Sequence, residues 1–245
     1  MTSTAHGARA RARIEITAAI KEEARRRLAE EGAAELSLRA VARTLGMASS
    51  AIYRYFPSRD DLLTALIIDA YDSLGATAEA ARDASAGAAS GERWTTVCEA
   101  IRAWALAHPH EYALIYGSPV PGYAAPATTV PAAARVAYAL IDVVRDAHRA
   151  GELELPPLPE ELEAEAARMA ADAVPDLPPA VAPACVAVWA QLLGQIGFEV
   201  FGQFTRVVEE RDIFFRHTVG ILARTVGLRP TGTGAGEGEG TREPR

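Results

Sequence analysis

The stretch SLRAVARTLGMASSAIYRYFPSRDDLL, residues 37–63, decides the fold of this 245-residue chain. Apolar residues recur at helical spacing after Ser37, a residue type that favours the N-cap of a helix. Gly46 follows the last of them, at the position where many helices end in a left-handed residue. Pro57 then separates a second short helix from a third. We therefore predict two short helices joined by a glycine turn.

The second of these helices has two unlike faces. Ile52 and Phe56 are four residues apart, so they share one face and are expected to dock on the preceding helix. The opposite face carries hydroxyls and a guanidinium, from Ser49, Ser50, Tyr53 and Arg54. Such groups bind base edges and phosphate oxygens in the major groove of DNA. The pattern matches a helix-turn-helix, and an ordinary helical hairpin with a solvated face is the alternative.

The run from residue 46 to residue 63 resembles the TetR (tetracycline-repressor-like) family of bacterial transcription regulators. The positions that match the family pattern are Tyr53, Phe56, Pro57, Ser58, Arg59 and Leu62. Residues 28–32 and 38–42 are similar to the family's first and second helices, so the resemblance covers about residues 14–70. It implies an all-α protein, in which an N-terminal three-helix helix-turn-helix head is followed by a helical body for ligand binding and dimerisation.

The start of the second short helix departs from the family pattern. Ala48 stands where the family usually has a capping Ser or Thr, and the loss of a capping oxygen costs about 0.5–2 kcal/mol. Ser49 and Ser50 stand where charged residues are frequent in the family. A base preference therefore cannot be transferred from a relative to this chain.

Charge is distributed unevenly along the chain. The whole sequence has 25 basic and 32 acidic residues, a net charge of −7. Residues 1–60 contain 11 basic and 7 acidic residues, whereas the remainder contains 14 and 25. A basic head on an acidic body orients a protein on a polyanion. Double-stranded DNA is therefore the expected macromolecular partner.

Several classes of function find no support in the sequence. There is no GxSxG, HExxH, P-loop or dinucleotide-binding pattern, so we expect no enzyme and no cofactor. His108 and His110 make a poor metal pair, and Cys98 and Cys185 lack metal or CxxC spacing, so we expect no metal site. The cysteines are interpreted as buried apolar residues, with a redox sensor as the alternative. Without a signal peptide or an uncharged run of roughly 20 residues, a cytoplasmic protein with no membrane partner is expected.

The chain divides into four predicted segments. These are a basic N-terminal arm at residues 1–13, a helix-turn-helix domain at 14–58, an effector-binding and dimerisation domain at 59–228, and a disordered tail at 229–245. The arm, with Arg9, Arg11 and Arg13, could contact phosphates or the minor groove, or could be a solubilising tail. After a first helix that ends near Glu31, helices are expected at 59–82, 92–107, 109–116, 131–150, 159–174, 180–208 and 210–227.

The last two predicted helices are apolar on two sides, and a helix of that kind needs two packing partners. We infer that they meet their symmetry mates in a four-helix dimer interface, with a large monomer core as the alternative. The predicted interface residues are Ala190, Gly194, Gly197, Phe201, Phe204, Phe214, Thr218 and Ile221. Trp189 and Gly194 also resemble a Trp-His-Gly class of TetR C-terminal domains, in which Leu193 here replaces the histidine.

The helical faces and the resemblance together assign candidate sites. Base contacts are expected from Ser49, Ser50, Tyr53 and Arg54, and phosphate contacts from Ser37, Arg39, Tyr55 and Arg59, although Tyr55 could instead pack inward. A cavity for a partly apolar effector is expected among Trp94, Trp104, Tyr112, Tyr116, Tyr123 and Trp189. The hypothesis is a homodimeric repressor that binds a palindromic operator and is released by an unknown small molecule. A constitutive DNA-binding protein, or a regulator controlled by a protein partner, is the alternative.

Overall fold

The computed structural model describes residues 2–229, with side chains from residue 7 onward. This part of the chain is all-α and contains no strand, which confirms the predicted fold class. The helices are α1 Thr2–Glu31, α2 Leu38–Thr44, α3 Ser49–Ile52, α4 Arg59–Ala84, α5 Ser90–Ala107, α6 Pro109–Tyr116, α7 Val130–Arg149, α8 Glu163–Ala173, α9 Val181–Val200 and α10 Arg211–Thr225. Short 3₁₀ turns lie at Ala33–Glu35, Ala127–Thr129 and Glu160–Leu162.

Helices α1 to α3 and the first turns of α4 form a small head. Its core takes one apolar stripe from each helix, which excludes water from a continuous cluster of Ile20, Ala24, Leu28, Leu38, Val41, Ile52, Phe56, Leu62, Leu63 and Leu66. The predicted boundary at residue 58 thus falls where α4 begins, but the first two turns of α4 belong to the head core. Head and body consequently share one continuous helix.

The body packs α5 and α7 on the second half of α4, and α9 and α10 pack on α5 and on each other. Ala70, Leu74 and Ala78 carry α4 into this second core, which is centred on aromatic and branched side chains. Two helices in this bundle, Ala127–Arg149 and Val181–Val200, are apolar and long enough to span a membrane by length and composition. Both line the body core, so burial inside the bundle accounts for one of their apolar faces.

Ion pairs fasten α7 to α4. The guanidinium of Arg135 pairs with Glu79 at 2.6 Å and with Asp72 at 2.7 Å. Arg82, one turn from the end of α4, pairs with Asp142 of α7. These contacts bridge the two helices at both ends of their shared surface, so α7 and α4 are held as one unit.

The structure differs from the sequence-based segments at both ends of the chain. Residues 2–13, expected to be a separate arm, continue α1 without a break. At the other end, residues 230–245 of the predicted disordered tail lie outside the described residues. The boundary between the arm and the first helix is therefore not present in the backbone.

The predicted helix over residues 180–208 ends too late in the sequence. Helix α9 stops at Val200, because Gly202 takes a left-handed conformation with φ 80°. The N–H of Gly202 donates to Glu199 O at 3.2 Å and that of Gln203 to Phe198 O at 2.8 Å, a Schellman termination. Residues 201–207 then run in turns, and Phe201 and Phe204 leave the helix axis.

Candidate nucleic-acid interface and ligand cavity

Helix α3 is short and is anchored from behind. Ile52 is fully buried and Phe56 is 6% exposed in the head core, as their spacing predicts. Only Ser49–Ile52 is α-helical, and the chain then tightens so that Tyr55 N donates to Ile52 O at 2.9 Å. Ala48 stands at the N-cap, where no side chain accepts a hydrogen bond from the helix. The departure of Ala48 from the family pattern thus leaves the start of α3 without a side-chain cap within the described structure.

The outward face of the α3 segment is polar and exposed. It consists of the side chains of Ser49, Ser50, Tyr53 and Arg54. In the described part of the chain, none of these four side chains makes a hydrogen bond to another protein group. Their donors and acceptors are thus available to an external partner with polar edges.

Arg13 of α1 supports the α3 segment from the side. Its guanidinium donates to the backbone oxygen of Arg54 at 3.3 Å and lies over the ring of Tyr55, 5.4 Å from the centroid. Tyr55 is half-buried against the head core, so it follows the inward alternative rather than the predicted phosphate contact. Arg13 therefore helps to fix where Tyr53 and Arg54 point.

Two groups of basic residues in the head differ in their surroundings. On α1, Arg26 and Arg27 pair with the buried Glu23, and Arg25 pairs with Asp69 at 2.7 Å. A second group, at the exposed outer surface of α2 and α3, has no carboxylate within 4.0 Å in the described structure; it consists of Arg39, Arg43 and Arg54. The head thus presents uncompensated positive charge beside its polar α3 face.

Arg43 was missed when the sequence was considered alone. It lies four residues after Arg39, so both guanidinium groups extend from one face of α2. That spacing was a usable signal. The outer side of α2 accordingly carries two basic residues rather than one.

Two residues predicted to hold phosphates have other surroundings. Ser37 is half-buried at the N-cap of α2 but its hydroxyl makes no capping hydrogen bond. Arg59 donates to the backbone oxygens of Ala33 at 2.8 Å, Ala34 at 3.1 Å and Leu36 at 3.1 Å. Its guanidinium therefore ties the turn before α2 to the start of α4, instead of standing free for DNA.

Glu23 is the buried carboxylate that organises the back of the head. It is 8% exposed, and hydrogen bonds led by that from Arg26 lower its pKa to about 2. Arg27 bonds both Glu23 and Thr44 Oγ1, the latter at 3.0 Å, and so joins α1 to α2. This network fixes α2 relative to α1 through Thr44, the residue that follows Arg43.

A small cavity lies in the body between α5, α7 and α9. Its volume is about 70 Å³ and it is lined by Trp94, Ala137, Leu140, Ile141, Cys185, Val186 and Trp189. Trp94 and Trp189 are the two predicted effector residues that the structure brings together there. No charged side chain belongs to its wall, and burial raises the pKa of the Cys185 thiol to about 12. The wall is thus neutral and apolar.

The other four predicted effector residues lie outside this cavity. Trp104 is buried and donates to Ser73 Oγ at 3.0 Å, and Tyr112 donates to Leu193 O at 2.6 Å. Tyr116 packs on two tyrosine rings, and Tyr123 bonds Thr64 of α4 at 2.9 Å near the head. Aromatic content alone did not separate core residues from cavity residues.

Both cysteines are remote from any reactive setting. Cys98 is fully buried in the body core, where burial raises the pKa of its thiol far above the usual range. Within the described residues, no group of three or more His, Cys, Asp or Glu side chains is placed to hold a metal ion. The thiols therefore stay protonated and act as small apolar side chains.

Helices α9 and α10 leave an apolar face exposed, which we name the α9–α10 face. It includes exposed or half-buried members of the predicted interface, namely Ala190, Gly194, Phe201, Phe204, Phe214, Thr218 and Ile221. A Cβ placed on Gly194 would meet nothing within 4 Å, so this helix surface is open. Phe198, four residues beyond Gly194 and 53% exposed, was missed and belongs to the same surface.

Gly197 does not belong to the α9–α10 face. It is buried, and a Cβ there would lie 3.8 Å from the Tyr112 hydroxyl oxygen. The Tyr112 ring lies against α9 at this point, and its hydroxyl donates to the backbone oxygen of Leu193. The predicted stripe was wrong at this position, because three residues are less than a full turn and Gly197 is rotated by about 60° from Gly194 toward the core.

Arg102 lies behind the α9–α10 face and links its two helices. Its guanidinium makes two 2.7 Å bonds to the buried carboxylate of Glu199 on α9 and one of 2.8 Å to Asp212 on α10. It also lies 4.9 Å from the ring centroid of Phe215. One arginine of α5 thus fixes the relative position of α9 and α10.

Comparison with protein families identifies both parts of the chain. Residues 20–66 match the model described as bacterial regulatory proteins of the tetR family. Residues 94–222 match the model of a tetracyclin repressor-like C-terminal domain. The first match covers the head and the second covers the body from α5 to α10. The Trp-His-Gly resemblance of α9 is not tested by these matches and stays a prediction.

Similar proteins agree with these matches. HTH-type transcriptional regulators of Mycobacterium tuberculosis and Mycobacterium bovis are each 42% identical over 203 residues, which is 81% of this chain and 86% of theirs. A crystal structure of the regulatory protein SCO4313 has a TM-score of 0.70 at 34% identity, covering 86% of this chain and 97% of that one. RolR, crystallised with resorcinol, has the same fold at a TM-score of 0.51 and 16% identity, covering 90% of this chain and 97% of that one.

Proposed function

The chain belongs to the TetR family of bacterial transcriptional regulators, and from this premise we propose that it is a homodimeric repressor that binds a palindromic operator and is released by a small molecule. The family consists of DNA-binding regulators rather than enzymes. One observation carries the proposal: the polar α3 face, which includes Arg54, is exposed beside Arg39 and Arg43 of α2, and none of the three arginines has an acidic partner in the described structure.

The head supplies both kinds of contact that operator binding needs. Ser49, Ser50, Tyr53 and Arg54 are proposed to contact base edges in the major groove. Arg39 and Arg43, with the unbonded hydroxyl of Ser37, are proposed to bind phosphates along α2. The anchoring of Ile52 in the head core supports this assignment, since it leaves the polar side of α3 outward.

Dimerisation supplies the second half-site. A four-residue helix reads too few base pairs to select a promoter, whereas two heads about 34–36 Å apart read an inverted repeat on one side of the duplex. The α9–α10 face supports the pairing, because its exposed Phe198, Phe214 and Ile221 are apolar and lie around the open surface of Gly194. The twofold axis of the pair would match the dyad of the operator.

Release by a small molecule is supported by the neutral cavity between α5, α7 and α9. The α7 wall of this cavity is ion-paired to α4, which continues into the head core. Resorcinol bound to RolR illustrates that a protein of this fold accommodates a ligand. Such a switch needs a coupling free energy of about 1–3 kcal/mol between ligand and DNA. A regulator of transcription works where the DNA is, so we propose a cytoplasmic location.

The test is selection of duplexes from a random pool, followed by binding measurements on the recovered sequence. The account predicts an inverted repeat, binding that weakens steeply with salt, and a loss of about 10-fold or more with Arg54→Ala. Arg168→Ala, which removes an exposed arginine of α8, is the control and should leave binding unchanged. Recovery of no duplex at low salt would overturn the proposal.

Regulation is tested separately on the recovered operator. A ligand that raises the melting temperature and weakens operator binding supports a ligand-released repressor. Operator binding that no small molecule alters, with transcription lowered whenever the protein is present, would instead support a constitutive regulator or one controlled by a protein partner. Transcription raised by the protein would contradict repression while leaving DNA binding intact.

A further inference from the structure

We propose that the cavity between α5, α7 and α9 binds an uncharged, planar, largely apolar molecule with a single hydrogen-bond acceptor, and that binding moves α7 and α9 apart. The inference rests on the proposed function, since it names the chemistry of the effector and the way in which it acts. It concerns only the wall residues of that cavity and the helices that carry them.

The wall of the cavity excludes a charged ligand. Its side chains are aliphatic or indole, apart from a thiol that burial keeps protonated. Transfer of an unpaired carboxylate or ammonium into such surroundings costs far more than apolar contacts return. The faces of Trp94 and Trp189 favour a flat ring, which can stack on either indole. An uncharged aromatic or similarly flat molecule is the class that fits.

The acceptor follows from the indole nitrogens. Nε1 of Trp94 and Nε1 of Trp189 are both buried, and neither has a hydrogen-bond partner among the described groups. Buried donors normally have a partner, and an unpaired one costs free energy. Both belong to wall residues, but neither nitrogen is exposed in the cavity, so a ligand reaches one of them only when the wall opens. One hydroxyl or carbonyl oxygen would satisfy a donor that the protein leaves unpaired.

The size of the cavity makes binding a conformational event. At about 70 Å³ it is smaller than the roughly 150 Å³ of an engineered apolar cavity that holds benzene. A ring therefore enters only if the wall moves. Val186 is 50% exposed at the rim, on α9, whereas Trp94 on α5 is 2% exposed. Since Arg102 of α5 holds the far end of α9 through Glu199, the opening that this arrangement allows is a movement of α7 and of the cavity-lining start of α9 away from the buried α5.

Each of the two helices that move, α7 and α9, is connected to one of the two functional surfaces. Helix α7 contributes Ala137, Leu140 and Ile141 and is ion-paired to α4, which forms part of the head core. Helix α9 contributes Cys185, Val186 and Trp189, while its outer side carries the α9–α10 face. A ligand that favours the widened cavity thus shifts the position of the heads and the pairing of the subunits together.

The experiment uses three probes on the full-length protein: naphthalene, 2-naphthol and 2-naphthoate, each followed by calorimetric titration and thermal denaturation. We expect 2-naphthol to bind about fivefold more tightly than naphthalene, through one added hydrogen bond, and 2-naphthoate to bind at least about 100-fold more weakly. Binding of 2-naphthoate as tight as that of 2-naphthol would overturn the uncharged class. Binding of naphthalene as tight as that of 2-naphthol would overturn the acceptor.

Two substitutions place the probes in the cavity. Ala137→Leu on α7 and Cys185→Leu on α9 fill the space from opposite walls, and each should weaken 2-naphthol binding by about 10-fold or more. Ala134→Leu, half-buried on α7 outside the cavity wall, is the matched control. All three variants must retain cooperative melting. Unchanged binding in both filled variants would place the probe elsewhere and overturn the proposal.

Operator binding separates this inference from the function on which it rests. If the wild type binds its operator but none of the probes, the ligand class is wrong and the DNA-binding function stands. If 2-naphthol binds and the filled variants lose it, while no duplex is ever bound, the cavity chemistry stands and the proposed function fails. If 2-naphthol binds in the cavity without weakening operator binding, the movement of α7 and α9 is overturned.

Discussion

The molecule presents two exposed surfaces of opposite character. On the head, the α3 face and the outer side of α2 carry hydroxyls and guanidinium groups that have no acidic partner among the described residues. On the body, the α9–α10 face carries phenylalanine, isoleucine and small residues, with Phe198 53% exposed and Ile221 43% exposed. Each surface is backed by a buried ion-pair network, around Glu23 in the head and around Glu199 in the body.

The difference indicates what each surface binds. Polar groups that are solvated in the free protein lose little when they meet another polar, anionic surface, and this exchange suits DNA. An apolar face gains most from a partner that is equally apolar, and a second copy of the same face fulfils that condition. The buried networks have the same purpose in both regions: they fix the helices that carry the exposed side chains.

The largest expected effect comes from charging the apolar face. Ala190→Glu combined with Gly194→Glu should separate the subunits and weaken operator binding by about 10³-fold, to the level of non-specific binding. Sedimentation and duplex titration measure the two effects. Ala76→Glu with Ala80→Glu adds the same charges with the same spacing on the exposed side of α4 and should change neither. A charged face that still dimerises would remove the contrast between the two surfaces.

The next effect concerns the network behind the apolar face. Arg102→Met leaves the buried carboxylate of Glu199 without its main partner, which should lower the free energy of unfolding by about 3 kcal/mol. Urea denaturation measures this change. Arg216→Met, which removes an exposed arginine that pairs with Glu99 at 2.6 Å, is the control and should cost less than about 1 kcal/mol. If both variants lost the same free energy of unfolding, the buried Arg102–Glu199 pair would contribute no more to stability than the exposed Arg216–Glu99 pair.

The network behind the polar head gives a pH-dependent effect. The pKa of Glu23 lies near 2 in the folded protein, below its ordinary value of 4.5. Its contribution is therefore complete above about pH 4.5 and is lost as the pH falls toward 2. Glu23→Gln should lower stability at pH 7 by about 1–2 kcal/mol and flatten the loss of stability between pH 4.5 and 2. Denaturant titrations at several pH values decide this, and an unchanged acid profile would contradict it.

Arg43→Ala tests the positive charge of the head without touching its core. Each dimer would lose two phosphate contacts, so the slope of log K against log salt concentration should become shallower by about 2. The discrimination between operator and unrelated duplex should change little. A loss of discrimination with an unchanged slope would show that Arg43 reads bases instead.

The smallest effect is expected at the start of α3. Ala48→Ser supplies a capping oxygen where no side chain now accepts from the helix. It should raise stability by about 0.5–1 kcal/mol, and a better-ordered α3 should tighten operator binding slightly. Thermal denaturation measures the gain. A loss of stability would mean that the wild-type backbone at Ala48 does not suit a capping side chain.

The head could be predicted from the sequence to the level of individual residues. The spacing of Ile52 and Phe56 determines which side of α3 is buried, and this in turn exposes Ser49, Ser50 and Arg54. These are local relations within one or two helical turns, which the helical period defines. The surroundings of the Tyr55 and Arg59 side chains were harder to predict, because their partners lie elsewhere in the fold. Tyr55 contacts Arg13 of α1, and Arg59 bonds backbone oxygens of the turn at Ala33–Glu35.

The body was less predictable for the same reason. The apolar stripe of α9 was recognised, but Gly197 was assigned to the wrong side because the position of Tyr112 was unknown. The end of α9 depends on the left-handed conformation of Gly202, one of several glycines that the sequence places in this segment. Among the aromatic residues, only contacts between distant helices distinguish cavity residues such as Trp189 from core residues such as Trp104.

The most direct test of the account is the mass of the protein alone and of its complex with the selected operator duplex, measured by sedimentation at near-physiological salt. The chain has a mass of 26.0 kDa. The account predicts a free protein of twice that mass and a complex that contains two chains on each duplex. A free protein of 26.0 kDa that binds the operator as one chain, or does not bind it, would contradict the pairing of heads through the α9–α10 face.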